Sequence, residues 1–283
     1  MLGEGIFGCP DREVGGSSPS SRTNLKLEIM YYIVQENLFR EENYNNLIVA
    51  LNRLELSHEI VRVLPFTEDI KFKTKRNDVF PFGSMKMARI SKQYGWNPGS
   101  QMNKNHDFLV YKEYYGENLL NWDSKIIEFG DTDFFSEKRF FARPTEDTKV
   151  FTGSEFDMAE WRLMVGQGLT NGHSTSLNEK TKIQISTIKK INQEIRFWIV
   201  KGEIVTASQY RLGNRVVHSD VIDKPAYDFC NEMIKLFQLN DAFVMDLALI
   251  DGQYKIIECG CINCAGFYNA NMQKLLIALE DAF

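Results

Sequence analysis

Long hydrophobic runs are missing from the sequence. No window offers roughly 18 uninterrupted apolar residues, the length that a helix needs to cross a bilayer. The first residues also lack the basic, apolar and small-residue order of a signal peptide. We therefore expect a cytoplasmic protein that has no membrane partner.

Concentrated positive charge is also missing. The net charge is -5 and the isoelectric point is near 5.5, with the lysines and arginines scattered along the chain. Nucleic-acid binding through a basic face is therefore not expected. The hydrophobic share of 43% and the charged share of 25% are those of an ordinary globular protein rather than a disordered one.

Cysteine and histidine are scarce, with five and four residues. Three cysteines, Cys259, Cys261 and Cys264, crowd into the segment "KIIECGCINC". This spacing is not a disulfide framework. A zinc site would require four soft ligands in a tetrahedral array, and no histidine lies nearby in the sequence to complete it. Structural cysteines are the favoured interpretation, and a zinc or iron–sulfur site remains the alternative.

Residues 1–29 lack periodicity until Leu25 and are rich in Gly, Ser and Pro, which predicts a disordered tail. A second interpretation is a mis-assigned start. Codons for residues 16–19 can resemble part of a transfer RNA gene, and those for residues 27–29 can carry a ribosome-binding sequence, so that Met30 would begin the protein. We expect no function before Met30.

The rest of the chain divides into two parts by its patterns. Residues 30–135 begin with a strand, a helix and a second strand, which favours an open α/β sheet. Residues 136–283 are mostly strand-like runs, with one amphipathic helix at 224–239, and predict an antiparallel α+β domain. Lys201-Gly202 and Asp251-Gly252 are hairpin signals between these runs.

The second hairpin brings two acidic residues together. Asp246 and Glu258 lie at nearly equal distances from Asp251-Gly252, so antiparallel pairing sets their carboxylates about 5 Å apart. Two like charges on an apolar sheet repel each other unless a cation separates them. Oxygen ligands at this spacing suit Mg²⁺, and Asn263 could add an amide oxygen.

Isolated charged residues stand in other apolar runs of the second half. Arg143 and Lys149 occur in "RFFARPTEDTKVFTG", while Arg196 and Arg211 occur in later strands. A buried charge needs a partner or a ligand. For Lys149, a surface ion pair with a neighbouring acid is the competing explanation.

These elements together resemble the ATP-grasp superfamily. The segments "MYYIVQENL", "FFARPTEDTKVFTG", "EIRFWIVKGEIVTASQYR" and "IIECGCINCAGFY" resemble its clade named for an arginine and two lysines, found often in bacteria and phages. The resemblance spans Met30 to about Phe283. It implies a pre-ATP-grasp α/β lobe followed by α+β ATP-grasp lobes, with the nucleotide in the cleft between subdomains.

The resemblance also implies roles for particular residues. Arg143 and Lys149 would contact the phosphates of ATP, and Gln184, Ile185 and Ser186 would belong to a hinge whose backbone reads adenine. Arg196 and Arg211 would neutralise the γ-phosphate or hold an acceptor carboxylate, so that Lys149, Arg196 and Arg211 form the expected catalytic set. Asp246, Glu258 and Asn263 would bind Mg²⁺. One departure is Gly260, which stands where the superfamily usually has a metal-binding asparagine.

The function that the resemblance implies is an ATP-dependent carboxylate–amine ligase. Its cofactors would be ATP and Mg²⁺, and its partners a carboxylate substrate, such as an amino acid or a peptide or protein end, and an amine acceptor. A carboxylate would attack the γ-phosphate to form an acylphosphate, which an amine or similar nucleophile then displaces. Two alternatives stay open: a Mg-ATP-binding module without ligase activity, favoured by Gly260, and a cysteine metal-binding protein.

Overall fold

The structure, a computed structural model, describes residues 30–36, 43–64, 70–134, 138–146, 151–170 and 177–283. The predicted tail at 1–29 lies outside them. The described residues form twelve strands and six α-helices. The strands are β1 (Tyr31–Gln35), β2 (His58–Val61), β3 (Val79–Phe82), β4 (Lys125–Glu128), β5 (Phe140–Pro144), β6 (Ser154–Phe156), β7 (Lys182–Thr187), β8 (Gln193–Val200), β9 (Glu203–Leu212), β10 (Arg215–Ser219), β11 (Ala242–Ile250) and β12 (Gln253–Cys261). The helices are α1 (Asn43–Arg53), α2 (Met85–Tyr94), α3 (Phe108–Tyr115), α4 (Met158–Thr170), α5 (Lys224–Leu236) and α6 (Met272–Ala282).

The first three strands form a parallel sheet in the order β2-β1-β3. Helix α1 connects β1 to β2, so the predicted strand–helix–strand unit is confirmed. All four residues of β3 are buried. Such continuous burial is typical of a parallel sheet covered on both faces.

The largest sheet is antiparallel and has the strand order β10-β9-β8-β11-β12. Both predicted hairpin turns are present in it. Lys201 and Gly202 have φ of 49° and 81°, and Asp251 and Gly252 have φ of 49° and 77°. Two consecutive residues in the left-handed region are typical of the type I′ turn, whose twist matches that of the flanking strands.

A third sheet has the strand order β4-β7-β5-β6. It packs on α4 through a core that includes Trp161, which is fully buried and donates a hydrogen bond from its ring to the Asp131 carbonyl. The predicted domain boundary between residues 135 and 136 divides this sheet, because β4 precedes the boundary and its partner β7 follows it.

The two faces of the five-stranded sheet belong to different cores. Phe197 and Met245 face a core that includes side chains of α3 and α5. Trp198 and Val244 face the opposite core, which α6 and the parallel sheet share. Along β8 this second face continues from Trp198 to Arg196 and Glu194, because alternate residues of a strand share a face. The face therefore changes from apolar to charged along the strand.

The predicted α/β lobe followed by α+β lobes is thus confirmed. In the residues that the structure describes, no helix combines the length and apolar character needed to cross a membrane.

The Asp251-Gly252 turn predicts a stability difference between two alanine substitutions. A Cβ at Gly252 or at Gly166 in α4 would meet no atom within 4 Å, but only Gly252 has a positive φ. Gly252→Ala should lower the free energy of unfolding by about 1–2 kcal/mol, because a Cβ strains the left-handed conformation. Gly166→Ala, the control, should raise it by about 0.5–1 kcal/mol, because glycine weakens a helix interior. Urea unfolding measures both, and equal effects would contradict the turn geometry.

Candidate active site

A cavity of about 700 Å³ lies between the four-stranded and five-stranded sheets. Its size is within the range of small-molecule binding sites, about 300–1,000 Å³. Arg143 reaches it from β5, Glu194 from β8, Arg211 from β9 and Glu258 from β12. The charged end of the five-stranded sheet therefore forms one wall of this cavity.

Two β-bulges lie in this wall. The pairing of β8 with β9 shifts register between Glu194 and Ile195, so that Tyr210 and Arg211 both line the cavity. The pairing of β11 with β12 shifts beside Asp246, and Ile257 and Glu258 both line the cavity. Bulges re-aim side chains in this way and are common next to binding sites. In a regular strand Gln209 and Arg211 would share a face, because they are two residues apart, but the first bulge places them on opposite faces.

The predicted meeting of Asp246 and Glu258 is confirmed, since they are directly paired between β11 and β12. Their environments differ. Asp246 is 2% exposed, whereas Glu258 lines the cavity. Glu258 forms a salt bridge with Arg143. Because Arg143 and Glu258 belong to different sheets, this ion pair links the two walls of the cavity.

Arg196 and Asp246 form a buried, two-pronged salt bridge. Arg196 Nε and Nη2 donate to the Asp246 carboxylate oxygens at 2.7 and 2.8 Å, and Nη1 donates to the Gly266 carbonyl at 3.3 Å. The Tyr210 hydroxyl donates to the same carboxylate at 3.3 Å. Burial lowers the pKa of the Arg196 guanidinium, but the charge and hydrogen bonds of Asp246 outweigh it and raise the pKa above its ordinary value.

Two tyrosine rings cover this guanidinium. Its central carbon lies 5.0 Å from the Tyr268 ring centroid and 5.9 Å from that of Tyr210, and the two rings stack on each other at 4.7 Å. The contacts of Arg196 thus hold strands and rings together. Arg196 also lines the cavity, so its predicted contact with a phosphate or an acceptor carboxylate stays a prediction.

Glu194 is a cavity carboxylate that does not belong to the predicted site residues. Its Oε1 lies 3.2 Å from Arg211 Nη1. Burial raises the pKa of the Glu194 carboxyl, and the nearby charges of Asp246 and Glu258 add to this effect. A hydrogen bond from Tyr210 and the charge of Arg211 act in the opposite direction. Arg211 itself, half exposed in the cavity, remains available to a ligand.

A protein-family model matches residues 96–279. It describes an ATP-grasp domain, family 3 of the clade named for an arginine and two lysines. The match covers well over half of the 283 residues. The chain belongs to this ATP-grasp family. Among curated protein sequences, no relative matches it.

Solved ATP-grasp structures share the fold at low sequence identity. The D-alanine–D-alanine ligase from Bacillus anthracis complexed with ATP is 12% identical, with a TM-score of 0.56, over 90% of this chain and 97% of that one. The ATP-grasp ligase PsnB complexed with minimal precursor is 12% identical, with a TM-score of 0.53, over 90% and 99%. The L-amino acid ligase from Bacillus licheniformis is 12% identical, with a TM-score of 0.57, over 91% and 75%.

The predicted adenine hinge requires a correction within this ATP-grasp chain. Gln184 and Ile185 pair with strands on both sides, with β4 and β5, so their backbone groups belong to the sheet. Ser186 pairs with β5 and is 7% exposed. None of the three lines the cavity. Its lining at this point is residues 187–191, the last residue of β7 and the four residues that follow it.

Asn263, predicted as a third metal ligand, has a different role in the structure. Its Oδ1 accepts a hydrogen bond from the Gln101 backbone at 2.7 Å, and its Nδ2 donates to the Pro81 carbonyl at 2.7 Å. It is 2% exposed and does not line the cavity. The amide thus fixes the segment after β12 to the parallel sheet, in place of the predicted metal contact.

The donor set fits Mg²⁺ only in part. Glu258 is a carboxylate in the cavity, and Mg²⁺ commonly uses one or two carboxylates together with substrate phosphates. Asp246 is already held by Arg196, and Gly260 offers no side chain. The described ranges contain no group of three or more His, Cys, Asp or Glu residues arranged to hold a metal ion, and this includes the three clustered cysteines. Lys149 lies outside the described residues.

The Arg196–Asp246 pair predicts a non-additive effect of substitution. Asp246→Ala should lower the free energy of unfolding by about 3–5 kcal/mol, because it leaves a buried guanidinium without its partner. Asp241→Ala, which removes an exposed partner of Lys201, is the control and should cost about 1 kcal/mol or less. The double variant Arg196→Met/Asp246→Leu should recover much of the loss. Denaturant unfolding measures all three, and a loss for Asp246→Ala no larger than the control's would contradict the buried pair.

The raised pKa of Glu194 predicts a pH-dependent effect of Glu194→Gln. A carboxyl with a raised pKa favours the folded state below its unfolded pKa, about 4.3, and this contribution is lost as pH rises through the folded pKa. The free energy of unfolding of Glu194→Gln, relative to the unchanged chain, should therefore increase from pH 4 towards neutral pH. Unfolding curves at a series of pH values measure the difference, and a constant difference would exclude the effect.

Proposed function

We propose that the chain is an ATP-dependent ligase that activates a carboxylate as an acylphosphate and transfers the acyl group to an amine. The observation that carries this proposal is the cavity between the two sheets, where basic side chains from both walls converge beside Glu258. Membership of the ATP-grasp family supports nucleotide binding in this cavity.

The charges in the cavity suit a triphosphate together with a carboxylate substrate. The basic side chains lining it include Arg143, Lys189, Lys190 and Arg211. Arg143 and Arg211 have planar forks that bind two oxygens of a phosphate or a carboxylate. Several cations are needed because both reacting partners are anions that repel each other.

Glu258 is the residue that would hold Mg²⁺. An ion held there would supply positive charge that offsets the negative charge of the phosphates. Arg143 would then turn from Glu258 towards a phosphate, since the two anions compete for the same guanidinium. Asp246, buried on the same face of the sheet, would act indirectly by fixing Arg196 and Tyr210.

The reaction consists of two transfers. An oxygen of the substrate carboxylate attacks the γ-phosphorus, the bond to the bridging oxygen breaks, and ADP leaves. The amine nitrogen then attacks the acyl carbon, inorganic phosphate leaves with the bonding electrons, and the nitrogen loses a proton. The chain's arginines offset the negative charge that these steps gather on the phosphoryl oxygens.

The named relatives indicate which carboxylates to test. Two are ligases of amino acids, and PsnB is described with a precursor peptide. At about 12% identity these relatives share the fold with this chain, but the fold does not determine which acceptor each protein uses. Amino acids and peptide ends are therefore the first substrates to test.

The second candidate is a nucleotide-binding module without ligase activity. Gly260 and the engagement of Asp246 with Arg196 favour it, because both reduce the number of protein oxygens available to a metal. It would bind ATP in the same cavity. It would release neither ADP nor phosphate with any acceptor.

The test is ADP release from ATP and Mg²⁺ with pooled amino acids, peptides and polyamines. A ligase should release ADP only when a carboxylate and an amine are both present. Glu258→Ala should lower turnover at least about 100-fold, the scale for losing one preorganised electrostatic group. Glu113→Ala, at an exposed position on α3, is the control and should keep the rate.

The outcomes separate the two candidates. ATP binding without ADP release in any pool would support the binding module over the ligase. ADP release that is equal in Glu258→Ala and in the unchanged chain would remove Glu258 from the mechanism. Melting temperatures of both variants show whether the fold is intact.

A further inference from the structure

A buried polar layer lies beside the cavity, and two of its members, Asn121 and Ser186, each have a side-chain oxygen without a hydrogen-bond partner among the described residues. Its residues are Asn121, Ser124, Gln184 and Ser186, each at most 9% exposed. Gln184 Nε2 donates to Ser124 Oγ at 2.9 Å, and Ser124 Oγ in turn donates to the Asn121 carbonyl. Only Asn121 of the four also lines the cavity.

The side-chain oxygen of Asn121 is buried and has no hydrogen-bond partner among the described residues. Leaving a buried polar atom unpaired costs about 1–3 kcal/mol. Such groups are rare in folded proteins and call for a partner that the chain itself does not supply. At the edge of a cavity, a bound ligand can be that partner.

The chain segment that carries Asn121 is fixed on both sides of the cavity. The Leu120 backbone donates to the Ile256 carbonyl at 2.8 Å, which ties the segment to β12. Asp123 forms a salt bridge of 3.7 Å with Lys189, in the stretch that follows β7. Asn121 is therefore held in place before a ligand binds, as a specificity-determining group must be.

The surroundings of Asn121 suit a purine base. Three aliphatic residues near these contacts line the cavity: Leu120, Ile188 and Ile257. Ile188 precedes Lys189 in the chain, and Ile257 follows Ile256. Aliphatic side chains can cover the faces of a flat ring, while the carboxamide meets its edge. The charged pair Arg143–Glu258 lines the same cavity and would face the phosphates of the proposed nucleotide.

We propose that Asn121 is a base-specificity residue, whose side-chain oxygen accepts a hydrogen bond from the 6-amino group of adenine. This inference rests on the proposed nucleotide site. The 6-amino group is a donor, which an unpaired carboxamide oxygen needs. Asn121 takes the base-reading role expected of Gln184, Ile185 and Ser186, whose backbone groups lie within the sheet.

The experiment compares two ligands that differ in one group: ADP, and purine riboside diphosphate, in which hydrogen replaces the 6-amino group. Diphosphates avoid turnover during calorimetry. The unchanged chain should bind ADP about tenfold more tightly, the scale of one hydrogen bond in a buried site. Asn121→Leu should bind ADP about tenfold more weakly and the analogue as before, so that the two affinities become equal.

Asn52→Leu is the matched control, because Asn52 is exposed on α1 and its side chain donates to the Ile48 carbonyl of the same helix. It should keep the preference for ADP. Asn121→Leu should melt at the same temperature as the unchanged chain or higher, because it removes an unpaired buried atom. A merely structural Asn121 would change both affinities by the same factor, which would overturn the inference.

The failure of this inference is distinguishable from the failure of the proposed function. If the unchanged chain binds neither diphosphate, the nucleotide site itself is absent and both fall. If it binds ADP and the analogue equally, the nucleotide site stands and the role of Asn121 is overturned. This second comparison needs no variant, so it holds even if Asn121→Leu does not fold.

Discussion

The buried Arg196–Asp246 salt bridge is the interaction on which the geometry of the cavity depends. It joins β8 to β11 at the point where the sheet face changes from apolar to charged. Through Arg196 it holds the Gly266 carbonyl, and through Asp246 it holds Tyr210. Two charges out of water are tolerated only with such complete hydrogen bonding. The pair therefore fixes three strands and the segment after β12 relative to one another.

Strand periodicity and the two bulges then decide which side chains reach a ligand. Alternation along β8 places Glu194 and Arg196 on the face that further along carries Trp198 in the core. An uninterrupted alternation on β9 and β12 would present every second residue only. The bulges add neighbouring residues, Tyr210 with Arg211 and Ile257 with Glu258, to the same wall. The cavity gains an apolar and a charged group at each bulge.

Much of this was accessible from the sequence, because hairpin turns set register locally. Asp251-Gly252 determines that Asp246 pairs with Glu258, and the β1–α1–β2 unit follows from patterns of similar range. Contacts between distant segments of the chain could not be predicted from the sequence. The partners of Asn263 lie 162 and 182 residues away, and Arg143 meets Glu258 from another sheet. Asn121 stands in a connection without periodicity, where no pattern marks an unpaired oxygen.

The ion pairs also explain how the cavity can be stable on its own and still offer positive charge to the proposed nucleotide. Glu194, Asp246 and Glu258 would repel one another if left alone, and each has an arginine as a partner: Arg211, Arg196 and Arg143. The pairs are not equivalent. Arg196 is enclosed, so exchanging its partner would bury an unpaired charge, whereas Arg211 is half exposed and Arg143 borders the cavity. In the proposed function, an entering polyphosphate would take over the two outer arginines, while the inner pair would keep the strands aligned. The separation of one fixed pair from two exchangeable pairs lets the same residues serve the fold and the proposed chemistry.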